Sequence, residues 1–339
     1  MKRPRYKPAA RVYPDIKVSA SRFSGPLIFV LRFAVRFYLF SFIGGAKVRL
    51  ETQSPLIDAF RRALGGESRC IVAFRHPRGF EPQLLTWFVL YELKRIAARQ
   101  GVPLPSAPRM RFVYGYEVLR WGGRIVRIVM PRLGCLPVHH AKLDSRGLAA
   151  IYDAIARGPY PVGIAPEGQV SYTVGGIPRL EPGIIRIGMG AAARLAEEGK
   201  ALPVEILPLS MRFNYGRGSE RAAEALLRKV EKLCGAGAES GGTGGLAERF
   251  LNCREIILKV NEKRYGISPE PGLPWDERAT ALLKAALDYC AGILGVRDDR
   301  TEHFDRLYYL RQICWDRIFL PGEEAKTEIE RAVEDLRAG

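Results

Sequence analysis

Between residues 70 and 211 short apolar runs alternate with longer amphipathic stretches. The runs Cys70–Phe74, Arg111–Tyr116, Leu136–His139, Val162–Ala165 and Val204–Met211 read as strands. The segments between them carry helical signals. Pro82–Arg99 begins with proline and stops before Gly101, Asp144 is placed to cap a helix running to Arg157, and Gly183–Glu198 has helical spacing. Strands separated by helices predict an α/β domain with a mostly parallel central sheet flanked by helices.

Past Met211 the texture changes. The stretch GAGAESGGTGG, near 235–245, has neither period and reads as a loop. It lacks the Gly-Lys-Ser/Thr ending of a phosphate-binding loop. Glu255–Val260 reads as a short strand returning to the sheet. Asp276–Leu294, Glu302–Phe319 and Glu323–Arg337 read as helices. The stripe Phe304, Leu307, Tyr308, Leu310, Ile313 and Cys314 has helical spacing and reads as packing.

The N-terminal run LIFVLRFAVRFYLFSFIGG, residues 27–45, is long enough to cross a bilayer. Arg32 and Arg36 interrupt it four residues apart, on one face of a helix, at about 2.5–3.5 kcal/mol each at a bilayer centre. The pattern fits a helix lying in the membrane interface, its arginines reaching headgroups; a core helix and a spanning or re-entrant segment are the alternatives. Polar or mixed residues precede the run and no small-residue cleavage site follows it cleanly, which is unlike a secretory leader. The organisation expected is a basic, membrane-associating segment 1–46, an α/β core 47–215, and a helical C-terminal region 216–339.

Charge sharpens this picture. The chain carries a formal +17, and residues 1–50 hold eleven Lys and Arg against the single acid Asp15. From Glu220 onward nineteen basic residues face twenty-two acidic ones, so the excess is N-terminal and central. Such a surface suits an anionic partner, and the apolar run beside the basic arm favours an anionic membrane surface over nucleic acid. A hydrophobic fraction of 47% supplies a packed core, which excludes disorder as the default. The six cysteines show no Cys-x-x-Cys spacing and read as reduced thiols of a cytosolic setting. His139 and His140 are adjacent on a strand and so point to opposite faces, which disfavours a shared metal. His303, in a polar helix start, reads as solvated.

Two short stretches carry the chemistry. RHPRGFEP, residues 75–82, places His76 just past a strand and Glu81 at a helix start. Strand ends of α/β sheets are where ligands bind. A tight turn can fold the imidazole onto the carboxylate, which then fixes the tautomer and stabilises the cation of proton transfer. A satisfied surface histidine is the alternative. The second stretch, APEGQVS (165–171), follows the strand PVGI, with GIPRLEPGIIRIG and VEILPLS downstream and LGCLPVHH upstream.

In this order and spacing the set resembles the glycerolipid acyltransferase family, over roughly residues 45–215. Its H-x-x-x-x-D motif maps onto His76 through Pro82, with Glu81 in place of the aspartate. Its P-E-G motif maps onto Pro166, Glu167 and Gly168, its following glycine segment onto Gly183, and its later strand onto Pro203–Pro208. Gln169 and Val170 stand where the family often has threonine and arginine, and His140 where it commonly has arginine.

The resemblance implies transfer of a fatty acyl group from an acyl thioester, on coenzyme A or a carrier protein, to a hydroxyl of glycerol 3-phosphate or a lysophospholipid. His76 would be the general base and Glu81 its orienter. Glu167, Gly168, His140 and Arg179 would bind substrate, with Arg132 or Lys142 as alternative sources of the phosphate-binding charge. Backbone N–H groups near Gly168 would serve the oxyanion or the phosphate, and Glu167 would hold the loop or the acceptor. No metal or organic cofactor is implied, and the protein would work at the cytoplasmic face of a membrane. The alternative is a non-catalytic lipid-binding relative.

Overall fold

In the computed structural model, the described residues are 20–42, 55–138, 144–172, 176–177, 180–214, 216, 218–234 and 245–319. They fall into two compact units, one within Asp15–Arg212 and one within Phe213–Gly339.

The first unit is built on five strands: β1 (Arg69–Phe74), β2 (Arg111–Gly115), β3 (Leu136–Val138), β4 (Val162–Ile164) and β5 (Val204–Leu209). Their order across the sheet is β3-β2-β4-β1-β5, and every pairing is parallel. This is the α/β architecture that the alternating pattern predicts, with each strand within two residues of its expected end.

Side chains alternate between the two faces, as the strand period requires. Cys70, Val72 and Phe74 of β1 enter one cluster with α2 (Pro55–Gly65), α3 (Glu81–Trp87) and α4 (Lys94–Arg99). Ile71 enters the other, with α7 (Ser145–Ala156) and α8 (Gly183–Glu197). Phe60, on the apolar stripe of α2, is wholly buried and contributes roughly 2–3 kcal/mol. The Arg62 guanidinium forks onto Glu205 at 2.8 and 2.6 Å, fixing α2 to β5. Its hydrogen bond holds the Glu205 carboxyl below the usual range. Asp144 caps α7 as its position predicts, Oδ1 accepting from the Gly147 N–H at 2.9 Å. Burial pushes the thiols of Cys70 and Cys135 up to about 12, so neither is a nucleophile near neutral pH.

The helix expected over Pro82–Arg99 contains a π-helical turn at Phe88–Leu93 between α3 and α4. From this turn Tyr91 Oη donates to the Ile28 carbonyl of α1 (Gly25–Phe42) at 2.7 Å. Two short helices, α5 (Val118–Trp121) and α6 (Gly123–Arg132), lead from β2 to β3. The strand-like bridge Phe23–Leu133 brings the start of α1 to the end of α6.

No described helix is long and apolar enough to cross a membrane. Helix α1 leaves Phe29, Val30, Phe33 and Phe37 exposed, each by 60–69%, and buries Leu39.

The second unit comprises α9 (Ser219–Cys234), α10 (Leu246–Arg264), α11 (Trp275–Leu294) and α12 (His303–Phe319). The strand expected at Glu255–Val260 is instead the middle of α10. Its β-branched content suggested a strand, but Leu246, Phe250, Cys253 and Ile257 keep a helical period through it, and period outweighs local propensity. Carboxylate pairs brace the unit: Arg249 forks onto Glu231, Arg278 reaches Glu255 and Glu262, and Arg306 reaches Asp288 and Asp298. The helix expected at Glu323–Arg337 and most of the glycine-rich loop lie outside the described residues. All six cysteines are free thiols.

Candidate functional site

The site is built where β1 and β4 end side by side, at the carboxyl edge of the sheet. Arg75 extends the β1 ladder by one rung, its N–H reaching the Leu209 carbonyl at 3.3 Å. The chain then turns through His76-Pro77-Arg78-Gly79. Gly79 has φ of +92°, a conformation that side chains with a Cβ rarely adopt, and this lets the turn close within the spacing of the motif. Helix α3 begins at Glu81, with Pro82 in its first turn.

The turn folds Glu81 back beneath His76. His76 Nδ1 lies 2.7 Å from Glu81 Oε2. The same carboxylate accepts from the Arg78 N–H at 2.8 Å and the Gly79 N–H at 2.9 Å. The side chain of Glu81 is wholly buried, and that of His76 is 17% exposed. Three donors converge on one buried acid, the arrangement a buried carboxylate requires. In the tautomer whose Nδ1–H donates to Glu81, Nε2 is the nitrogen that can accept a proton. The Phe74 ring meets the imidazole edge-on, centroids 5.9 Å apart, and limits its rotation.

The second motif reaches the same edge through β4. Glu167 is buried, and its Oε1 accepts from Arg75 Nε at 2.9 Å. Its Oε2 is also buried and has no hydrogen-bond partner among the described residues. The Ser171 N–H donates to the His76 carbonyl at 3.0 Å, so the loop after β4 is tied to the turn after β1. Gly168 takes φ of +68°, and its N–H donates to the Ala165 carbonyl at 3.1 Å. That N–H closes the turn.

His76, Glu81, Glu167 and Gly168 therefore lie on two neighbouring loops. His140, Lys142 and Arg179 lie outside the described residues. Arg132 does not join the site: it precedes β3, at the opposite edge of an all-parallel sheet, and its Nη1 donates to the Ile128 carbonyl. Arg75 is the residue that motif reasoning missed. Its signal was its place directly before the histidine, but its partner is 92 positions away.

No protein-family model matches the chain, and no curated protein matches it.

Proposed function

We propose that the protein transfers a fatty acyl group from an acyl thioester to the hydroxyl of a glycerophosphate or lysophospholipid at a membrane surface. The observation that carries the reading is the His76–Glu81 pair, 2.7 Å apart with the acid fully buried, at the sheet edge where the P-E-G loop also arrives.

His76 Nε2 takes the proton of the acceptor hydroxyl as its oxygen attacks the thioester carbonyl carbon. Glu81 holds Nδ1–H and stabilises the imidazolium. The tetrahedral intermediate collapses by breaking the C–S bond, and the proton held on His76 passes to the departing thiolate. A thiolate is a good leaving group, so the chemistry invokes no metal or organic cofactor. Glu167, buried and held by Arg75, suits the role of keeping the loop after β4 beside the His76 turn. Arg78 on the turn and Arg212 just past β5 are exposed at this edge and suit the acceptor phosphate.

The aromatic stripe of α1, together with exposed Arg36, supports docking on an anionic bilayer. Lipid analysis after incubation with a labelled acyl thioester and a panel of acceptors tests the reading. A new diacyl or monoacyl product supports it. Binding of both substrates without turnover would favour a non-catalytic lipid-binding protein.

A further inference from the structure

The second unit contains a groove of about 530 Å³ between α9, α10 and α11. This is within the size range of small-ligand sites. Its walls are apolar, with Leu227 from α9, Phe250 and Ile257 from α10 and Leu282 from α11. Phe250 and Ile257 are exposed by 59% and 44%.

One charge interrupts these walls. The Arg254 guanidinium lies over the Trp275 ring, 4.1 Å from its centroid. Arg249, Arg278 and Arg306 of the same unit each reach two carboxylates. Arg254 has no carboxylate among the described residues. Its Nε and the Trp275 Nε1 are both buried donors without an acceptor among the described residues. Two orphaned N–H groups and an uncompensated cation at one point of an apolar groove call for an acceptor with negative charge.

We infer that this groove binds a single-chain fatty acid, its methylenes along the α9–α10–α11 walls and its carboxylate on Arg254 and the Trp275 N–H. Binding turns the guanidinium partly off the indole to meet the carboxylate. A polymethylene chain asks nothing polar of the walls, and one anionic head matches one cation. The groove is formed by residues of the second unit alone, and the inference does not depend on the acyl-transfer reading.

The test uses the full-length protein and a polyene fatty acid, read by energy transfer from tryptophan. We expect saturable binding of one equivalent, displaced by an unlabelled saturated fatty acid and at least tenfold less well by the alcohol of equal length. Arg254→Gln should weaken the acid at least tenfold and equalise acid with alcohol. Ala279→Trp should fill the groove and abolish binding, with circular dichroism as the folding check. Trp275→Phe should remove most of the transfer signal, while His76→Ala should leave binding unchanged. Equal affinity of wild type for acid and alcohol overturns the proposal, as does binding that survives Arg254→Gln unchanged. Displacement of nothing by fatty acid, with capture of an acidic amphipathic peptide instead, would assign the groove to a protein partner and overturn it too.

Discussion

Arg75 Nε donates to Glu167 Oε1 across 2.9 Å, joining the end of β1 to the loop after β4. The Glu167 side chain is 1% exposed, so the guanidinium is its main compensation. Removing one member of a buried pair leaves the other charge uncompensated, a cost of about 3–5 kcal/mol. Arg75→Met should therefore lower stability to chemical denaturation by roughly 3 kcal/mol, less whatever hydration reaches the 18%-exposed arginine end. Adding Glu167→Gln should recover part of that loss. Additive losses in a double-mutant cycle would show that the pair does not couple.

Glu81 offers a graded test. Glu81→Asp keeps the charge but draws it back by one methylene, and activity should stay within about tenfold of wild type, near 1.4 kcal/mol. Glu81→Gln turns an amide N–H₂ toward one of the donors now served by the carboxylate. It should lose about 1–3 kcal/mol of stability and considerably more activity than Asp. If Gln matches wild type in initial rate, Glu81 is only a helix-start residue favoured by the helix dipole.

The Arg62–Glu205 fork predicts an acid limit. The folded carboxyl of Glu205 titrates below its unfolded value, near 4.3. Its contribution is thus complete above that value and is lost as pH falls through the lower, folded one. The pair is partly exposed, so its worth is about 1 kcal/mol. Glu205→Gln should lower the midpoint of urea unfolding at pH 7 and narrow its gap to wild type below pH 4. A gap that is constant from pH 7 to 3 would remove the pair from the acid response.

The proposed membrane attachment would divide into two terms. Exposed Phe29, Phe33 and Phe37 would supply insertion, and the basic residues of the N-terminal half would supply attraction that salt screens. High salt should weaken binding to anionic vesicles only in part, whereas changing the three phenylalanines to serine should release the protein at any salt. Complete release by salt alone, in a vesicle flotation assay, would show that α1 is not embedded.

Much of the first unit is legible in the sequence because its central strands β1 and β4 are buried on both faces and its strands are bounded by turn residues. Cys70–Phe74 differs from the observed strand by one residue. Asp144 as a cap and Pro82 in the first turn of α3 are local chemistry, and local chemistry is visible in sequence. The His76–Glu81 contact belongs to the same class, since five residues and one glycine turn decide it. What was not legible is non-local or ambiguous. The Arg75–Glu167 pair depends on β1 and β4 being neighbours, an arrangement made by the crossovers rather than by either motif. Arg132 is near the motifs in sequence but lies at the other edge, because it precedes its strand instead of following it. Glu255–Val260 carried strand-like residues inside a helical period that only the full length of α10 reveals.

The most direct measurement is the rate of acyl transfer by His76→Ala against wild type, with labelled acyl thioester, lysophospholipid acceptor and vesicles present. Loss of a general base costs about 10²–10⁴ in rate. The account predicts a fall of that size with the circular dichroism spectrum and vesicle binding unchanged. Near-normal turnover by the folded variant would remove His76 from the chemistry and contradict the account.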